Sequence, residues 1–184
     1  MTLTETPICN FGEKAKNFNL LSTEKKKVSL NTVKGENGTI IMFICNHCPY
    51  VKAVIKDIVE DVRYLENLGI KSVAIMSNDI KNYPEDSFEN MISFSNLHAF
   101  SFPYLIDETQ EVAKKYGAVC TPDFFGYNKN LELQYRGRIR ELKNLKPIRK
   151  GNSDLSIAME QIAKSGNGPK NQIPSMGCNI KWIK

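Results

Sequence analysis

The sequence predicts an α/β fold, a mixed central β-sheet with helices on both faces. Two observations predict it. A strand, an amphipathic helix and a second strand follow one another with short links across 39–76. That order implies parallel strands joined by a right-handed crossover. Two more strand-like segments across 119–135, joined at Asn128-Lys129-Asn130, imply a closing antiparallel hairpin.

Residues 1–17 show no clear period. Phe18-Asn19-Leu20 and Val28-Ser29-Leu30 alternate, with polar Ser22 to Lys27 between them, which predicts an N-terminal β-hairpin. Lys34-Gly35-Glu36-Asn37-Gly38 is a turn cluster, and a buried strand follows at about 39–45. Val51, Val54, Ile55, Ile58, Val59, Val62, Leu65 and Leu68 then recur at helical spacing. Pro49 suits the first helical position and Gly69 the stop. Ile70–Met76 is the next strand.

Asn78–Asp86 reads as a polar loop, followed by a helix near 85–98 and a short strand at Phe102–Ile106. Asp107 with Gln110 resembles a capping box opening a helix that Gly117 ends. Ser153 is the expected N-cap of a last helix with Leu155, Ala158, Met159 and Ile162 inward. Gly166, Gly168, Pro169, Pro174 and Gly177 predict an irregular tail, with Trp182 and Ile183 pinning it to the body.

The 184 residues are read as one domain over 1–184, with a core of about 11–165 and a C-terminal tail at 166–184. Hydrophobic residues at 41% are enough to build a core without disulfides. Neither a bilayer-spanning run nor a secretory leader is visible, so the expectation is a cytoplasmic protein with no membrane partner. Five cysteines are too few for a disulfide scaffold and point to chemistry instead. Net charge is +5, with Arg136, Arg138, Arg140, Lys143, Lys146, Arg149 and Lys150 close together. Only Tyr135 interleaves with them, so a solvated face or loop is expected and no nucleic-acid partner.

Cys45-Asn46-His47-Cys48-Pro49 sits where the buried strand turns into the helix. C-x-x-C in that position is a redox signal. A helix N-terminus offers unpaired N–H groups and the positive end of the dipole, which favour a thiolate. With Cys45 at the helix mouth and Cys48 one turn further in, Cys45 is the expected nucleophile and Cys48 the resolving thiol. His47 is expected to hydrogen-bond the Cys45 thiolate or to lend it positive charge. A thiolate so stabilised implies a reduction potential less negative than the about −270 mV of thioredoxin. Zinc would need four ligands, and beyond this motif the sequence offers only His98 as a further histidine. No metal or organic cofactor is expected. Thr121-Pro122 opens a strand; in the cis form it would expose the Thr121 backbone to an extended substrate. Taken alone, the trans form is the commoner state.

These runs resemble the thioredoxin superfamily, in its AhpC/TSA or peroxiredoxin-like branch. The residues carrying the resemblance include Phe18-Asn19-Leu20, Cys45-Asn46-His47-Cys48-Pro49-Tyr50 and Tyr83-Pro84-Glu85-Asp86-Ser87. Thr121-Pro122-Asp123-Phe124-Phe125 and Ser175-Met176-Gly177-Cys178-Asn179-Ile180-Lys181-Trp182 complete them. The resemblance spans roughly 11–184. It implies a thioredoxin-like fold with an N-terminal hairpin and a central strand–helix insertion, thiol redox activity and a cis Pro122. The chain departs from the P-x-x-x-T-x-x-C pattern of peroxiredoxins in either register. Their arginine beside the thiolate falls at Thr121. The buried acid and the tryptophan of thioredoxins are replaced by Thr39 and Ile44.

The functional expectation is a thiol–disulfide oxidoreductase acting on a protein or small-molecule disulfide, with a thioredoxin- or glutathione-type reductant. Thr121 and Pro122 would shape the substrate site. A thiol-dependent, antioxidant peroxidase and a non-enzymatic redox sensor or adaptor are the alternatives. Cys120 and Cys178 are further redox candidates beside their plainer readings, a buried small hydrophobe and a tail-packing residue.

Overall fold

The structure, a computed structural model, describes residues 2–184. The chain opens with β1 (Leu3–Glu5), then β2 (Asn19–Ser22), β3 (Lys27–Ser29) and a one-turn helix α1 (Leu30–Val33). The central unit is β4 (Gly38–Phe43), α2 (Pro49–Glu66) and β5 (Ile70–Met76). A 3-10 turn at Pro84–Asp86 leads to α3 (Phe88–Leu97), β6 (Tyr104–Ile106) and α4 (Glu111–Tyr116). Next come β7 (Cys120–Thr121), β8 (Asp123–Asn128) and β9 (Leu133–Arg136), then the small hairpin β10 (Leu142–Lys143) and β11 (Lys146–Pro147). The chain closes with α5 (Asp154–Ser165) and β12 (Met176–Asn179).

Seven strands form the main sheet in the order β3-β2-β6-β5-β4-β8-β9. β4, β5 and β6 run parallel, and the pairs outside them are antiparallel. β4 is apolar on both faces because both are covered. Ile40 and Met42 face α2, α3 and α5, packing with Ile58, Leu65, Met91 and Met159. Ile41 and Phe43 face α1 and α4, packing with Val33, Val112, Tyr116 and Phe125. Along α2, Val51, Val54, Ile55, Ile58, Val59, Val62 and Leu65 are buried, each worth roughly 1.5–3 kcal/mol on transfer from water.

The N-terminal hairpin, the β4–α2–β5 unit and the β8–β9 hairpin lie where the sequence puts them. Ser153 caps α5, its side chain accepting from Ser156 N–H. Four expectations need correction. β4 ends at Phe43, not at 45, so Ile44 and Cys45 lie on a loop leaving the sheet. Gln110 is not half of a capping box. It adopts a left-handed backbone and turns its amide away from α4, while Asp107 accepts from the N–H groups of Val112 and Ala113. The tail is not irregular throughout, because β12 pairs with both β1 and β7. Nor do Trp182 and Ile183 pin it, since both are exposed. Buried Ile180 and the backbone do that work.

The basic stretch also differs from a solvated loop. Arg136 is buried against Asp123 at 2.9 Å, and Arg140 against Asp57 at 2.9 Å. Arg138 reaches Asp154 at 2.7 Å. These arginines tie the end of the sheet to its helices, leaving Lys143, Lys146, Arg149 and Lys150 exposed.

Gln110 adds side-chain bonds that tie the tail to the body, beside the bonds of Asn78 and Asp79 to Lys181. Gln110 Nε2 donates to the carbonyls of Ser77 and Lys181, and Gln110 Oε1 accepts from Ile183 N–H. Gln110→Ala takes this partner from the Ser77 carbonyl and the Ile183 N–H, while the Lys181 carbonyl keeps the Asp79 N–H. We expect a loss of about 1–3 kcal/mol in urea unfolding and faster hydrogen exchange at Ile183. Unchanged exchange would show that β12 pairing and the Asn78 and Asp79 bonds to Lys181 hold the tail without Gln110.

Candidate active site

The N-terminus of α2 faces the Thr121-Pro122 peptide, which is cis. Cys48, not Cys45, stands at the helix mouth. It is the N-cap, and Pro49 occupies the first turn, where a missing N–H costs nothing. Cys45 lies three residues upstream on the loop. The expected geometry, with Cys48 one turn inside the helix, is therefore displaced by three residues.

Cys48 Sγ lies 3.2 Å from the Thr121 carbonyl and 3.0 Å from Cys178 Sγ. Cys45 Sγ lies 3.4 Å from Thr121 Oγ1. As a thiol, Cys48 donates to the Thr121 carbonyl. As a thiolate it gives up that bond and accepts from Cys45, Cys178 and the backbone N–H of Val51. The Cys45 hydrogen bond is the largest influence, and together they bring Cys48 down to about 5, against burial. Cys45 moves the other way, well above the usual thiol range. Its bond to Cys48 is the main cause, burial the second and the Asp86 charge the third. The pair shares one proton, and it sits on Cys45.

His47 reaches Cys45, as expected, but sits closer to Asp86. Its Nδ1 lies 2.6 Å from Asp86 Oδ2 and 3.9 Å from Cys45 Sγ. The Asp86 hydrogen bond raises the imidazole above its ordinary value, against burial. Asp86 is buried, which pushes its carboxyl up, but donors outweigh that and leave it depressed. Those donors are His47, Asn78 Nδ2 at 2.8 Å, and the N–H groups of Asn46 and His47 at 2.8 and 3.2 Å. Asn46 Oδ1 accepts from Tyr104 Oη at 2.9 Å. Tyr83 stacks on the imidazole at 5.7 Å. Asp86 and Tyr104 escaped the sequence reading. Asp86 sits in the Tyr83–Ser87 run, whose spacing gives no link to a motif some forty residues earlier in the chain.

The three sulfurs of Cys45, Cys48 and Cys178 are all buried. His47, with a side chain 16% exposed, forms the rim. A cavity of about 450 Å³ flanks Pro122, lined among others by Tyr50, Val54, Arg138, Leu145 and Met176. Cys120 is buried apart from this cluster, donating to the Pro122 carbonyl at 3.7 Å, with burial pushing its thiol far up. Among the described residues, Cys45, His47 and Asp86 bring metal-ligating atoms within 4.8 Å of one another. His47 and Asp86 are joined within this group by a hydrogen bond of 2.6 Å. No helix among the described residues is long and apolar enough to cross a membrane.

A mixed sheet, a cysteine pair at a helix N-terminus and a facing cis-proline define a thioredoxin-like protein. Residues 11–142 match the AhpC/TSA family model, and the chain belongs to that family. It is similar to an uncharacterized conserved protein from Geobacillus kaustophilus, with 40% identity and a TM-score of 0.94, covering 100% of this chain and 97% of that one. A hypothetical protein from Sinorhizobium meliloti 1021 is 32% identical, with a TM-score of 0.90 and 98% of each chain covered. A thiol:disulfide interchange protein of the thioredoxin family from Chlorobium tepidum TLS shares the fold. It has a TM-score of 0.59 and 17% identity, over 88% of this chain and 97% of that one. A comparison with curated proteins gives no match.

A thiolate can be read directly in the ultraviolet. The reduced protein is expected to show a thiolate absorbance step near pH 5, lost in Cys48→Ser and moved upward in Cys45→Ser. The sign follows from the depressed value. The thiolate stabilises the reduced fold above the ordinary thiol range, and that stabilisation disappears as pH falls through about 5. A step that survives in Cys48→Ser would place the charge on another cysteine.

Proposed function

We propose that this protein catalyses thiol–disulfide exchange, with Cys48 as the attacking thiolate and Cys45 as the resolving thiol. One observation carries this reading: Cys48 caps α2 while Cys45 donates its hydrogen bond to it, holding Cys48 at about 5. It reverses the order expected from the motif alone.

The Cys48 thiolate attacks one sulfur of a substrate disulfide. A Cys48–substrate bond forms, the substrate S–S bond breaks, and the leaving thiolate takes up a proton. This step removes the thiolate acceptor on Cys48, whose hydrogen bond is the largest cause holding Cys45 protonated. Cys45 then loses its proton, attacks Cys48 Sγ and expels the second substrate thiol. The timing is built in, because the resolving thiol is released only after the nucleophile is consumed. Asp86 holds the His47 imidazole beside the sulfurs and raises its hold on a proton. Thr121 and Pro122, with the adjoining cavity, are the substrate-binding elements of this scheme. A thioredoxin- or glutathione-type dithiol returns the Cys45–Cys48 disulfide to the reduced state. No metal or organic cofactor takes part.

A peroxidase reading draws on one observation, that β12 already occupies the Thr121 edge, which a small oxidant need not displace. There the Cys48 thiolate attacks a peroxide oxygen, releases the alcohol or water, and becomes a sulfenic acid. Cys45 condenses with it and expels water.

Turnover of a disulfide substrate and of hydrogen peroxide, in wild type, Cys45→Ser and Cys48→Ser, separates the readings. We expect disulfide turnover to exceed peroxide turnover. Cys48→Ser should fall to background on both, and Cys45→Ser should form no Cys45–Cys48 disulfide. Activity retained in Cys48→Ser would contradict the proposal. Peroxide turnover exceeding disulfide turnover would select the second reading. Negligible turnover on both, with redox-dependent partner binding, would indicate a sensor.

A further inference from the structure

The third sulfur in the cluster comes from the C-terminal tail, and its position there is a matter of strand register. β12 runs antiparallel to β7, with Cys178 opposite Thr121 and Asn179 opposite Cys120. Thr121 is the residue just before the cis-proline. Its backbone is the edge on which an extended substrate would pair. That edge is taken by the protein's own chain.

Several contacts seat the strand. Ser175 Oγ donates to the Pro122 carbonyl at 2.7 Å, and Ile180 N–H donates to the Val119 carbonyl at 3.1 Å. Gly177 lies so close that a β-carbon there would fall 2.0 Å from the Thr121 carbonyl oxygen. Any other residue at 177 would lift the strand away. On its far side β12 is held by β1, and Thr6 and Ser175 exchange two hydrogen bonds at 2.9 and 3.0 Å. The result sets Cys178 Sγ 3.0 Å from Cys48 Sγ. A disulfide requires about 2.05 Å, so the sulfurs need approach by only about 1 Å.

We propose that β12 is a tethered pseudo-substrate and that Cys178 is a third redox thiol, forming an intramolecular disulfide with Cys48. This rests on the reading of Cys48 as the attacking thiolate. Once Cys48 is joined to a substrate sulfur, Cys178 gives up its proton and attacks Cys48 Sγ. The Cys48–Cys178 bond forms, the bond to the substrate breaks, and the substrate leaves as a thiol carrying that proton. The protein has lost two electrons and the substrate disulfide has gained them. Cys45 can next attack Cys48 Sγ, expelling Cys178 and giving the Cys45–Cys48 disulfide with no further electron change. Extended cysteine-bearing polypeptides are the substrate class that competes with β12 for the Thr121 edge.

The test uses full-length reduced protein carrying Cys9→Ser, treated with dithiodipyridine, which releases one thiopyridone per attacked disulfide and a second when the mixed disulfide is resolved. With Cys45→Ser added, two equivalents are expected, and mass spectrometry of a tryptic digest should join the 35–52 and 171–181 peptides. With Cys45→Ser and Cys178→Ser together, the release should stop at one equivalent, with the mixed disulfide kept on Cys48. One equivalent in Cys45→Ser alone, with Cys178 still alkylated by iodoacetamide after unfolding, would overturn the relay and leave Cys48 as nucleophile intact. Release unaffected by Cys48→Ser would overturn both.

Discussion

The placement of the Cys48 sulfur at the open end of α2 constrains everything around it. A buried anion is expensive unless donors surround it. Cys178 lies 3.0 Å from this one, and the Cys45 thiol and the Val51 N–H beside it help to bring it down. Pro49 completes the arrangement by supplying a helical residue with no N–H to satisfy. The loop from Ile44 to His47 leaves the sheet early, which brings Cys45 to the side of the helix mouth and makes it a donor to the thiolate.

A second buried charge balances the first. Asp86 is held by four donors and stands beside His47, so an ion pair lies on the flank of the cysteine pair. In the thioredoxin pattern a buried acid is expected at the position of Thr39. Here Thr39 hydroxyl accepts from Gly35 N–H and takes no part in the site. The acid instead comes from a different element, the turn before α3. It acts through the imidazole and through the Asn46 and His47 backbone.

The fold was largely legible in the sequence because the strong signals are local. The β4–α2–β5 unit is a both-faces-buried strand, an amphipathic helix and a second strand, each announced by period and punctuation. Gly117 ends α4 with φ +62°, a left-handed turn that glycine takes without cost. The losses were tertiary. Gln110 has the residue type and spacing of a cap, but three carbonyl and amide partners, two from the tail and one from Ser77 just after β5, outcompete that role. β12 has no alternation to announce it, since its pairing depends on two short strands far from it and from each other in the chain. The place of the two cysteines relative to α2 turned on where the helix begins, and a shift of three residues puts Cys48, not Cys45, at its N-cap. Asp86 was present in a recognised run, yet only the folded chain brings it to His47.

The central claim is that the site stabilises its reduced, thiolate form on Cys48. The reduction potential of the wild-type protein, equilibrated in glutathione buffers, tests it most directly. Stabilising the thiolate makes the disulfide easier to reduce. A potential less negative than about −270 mV is the expected result. A value at or below that of thioredoxin would contradict the account.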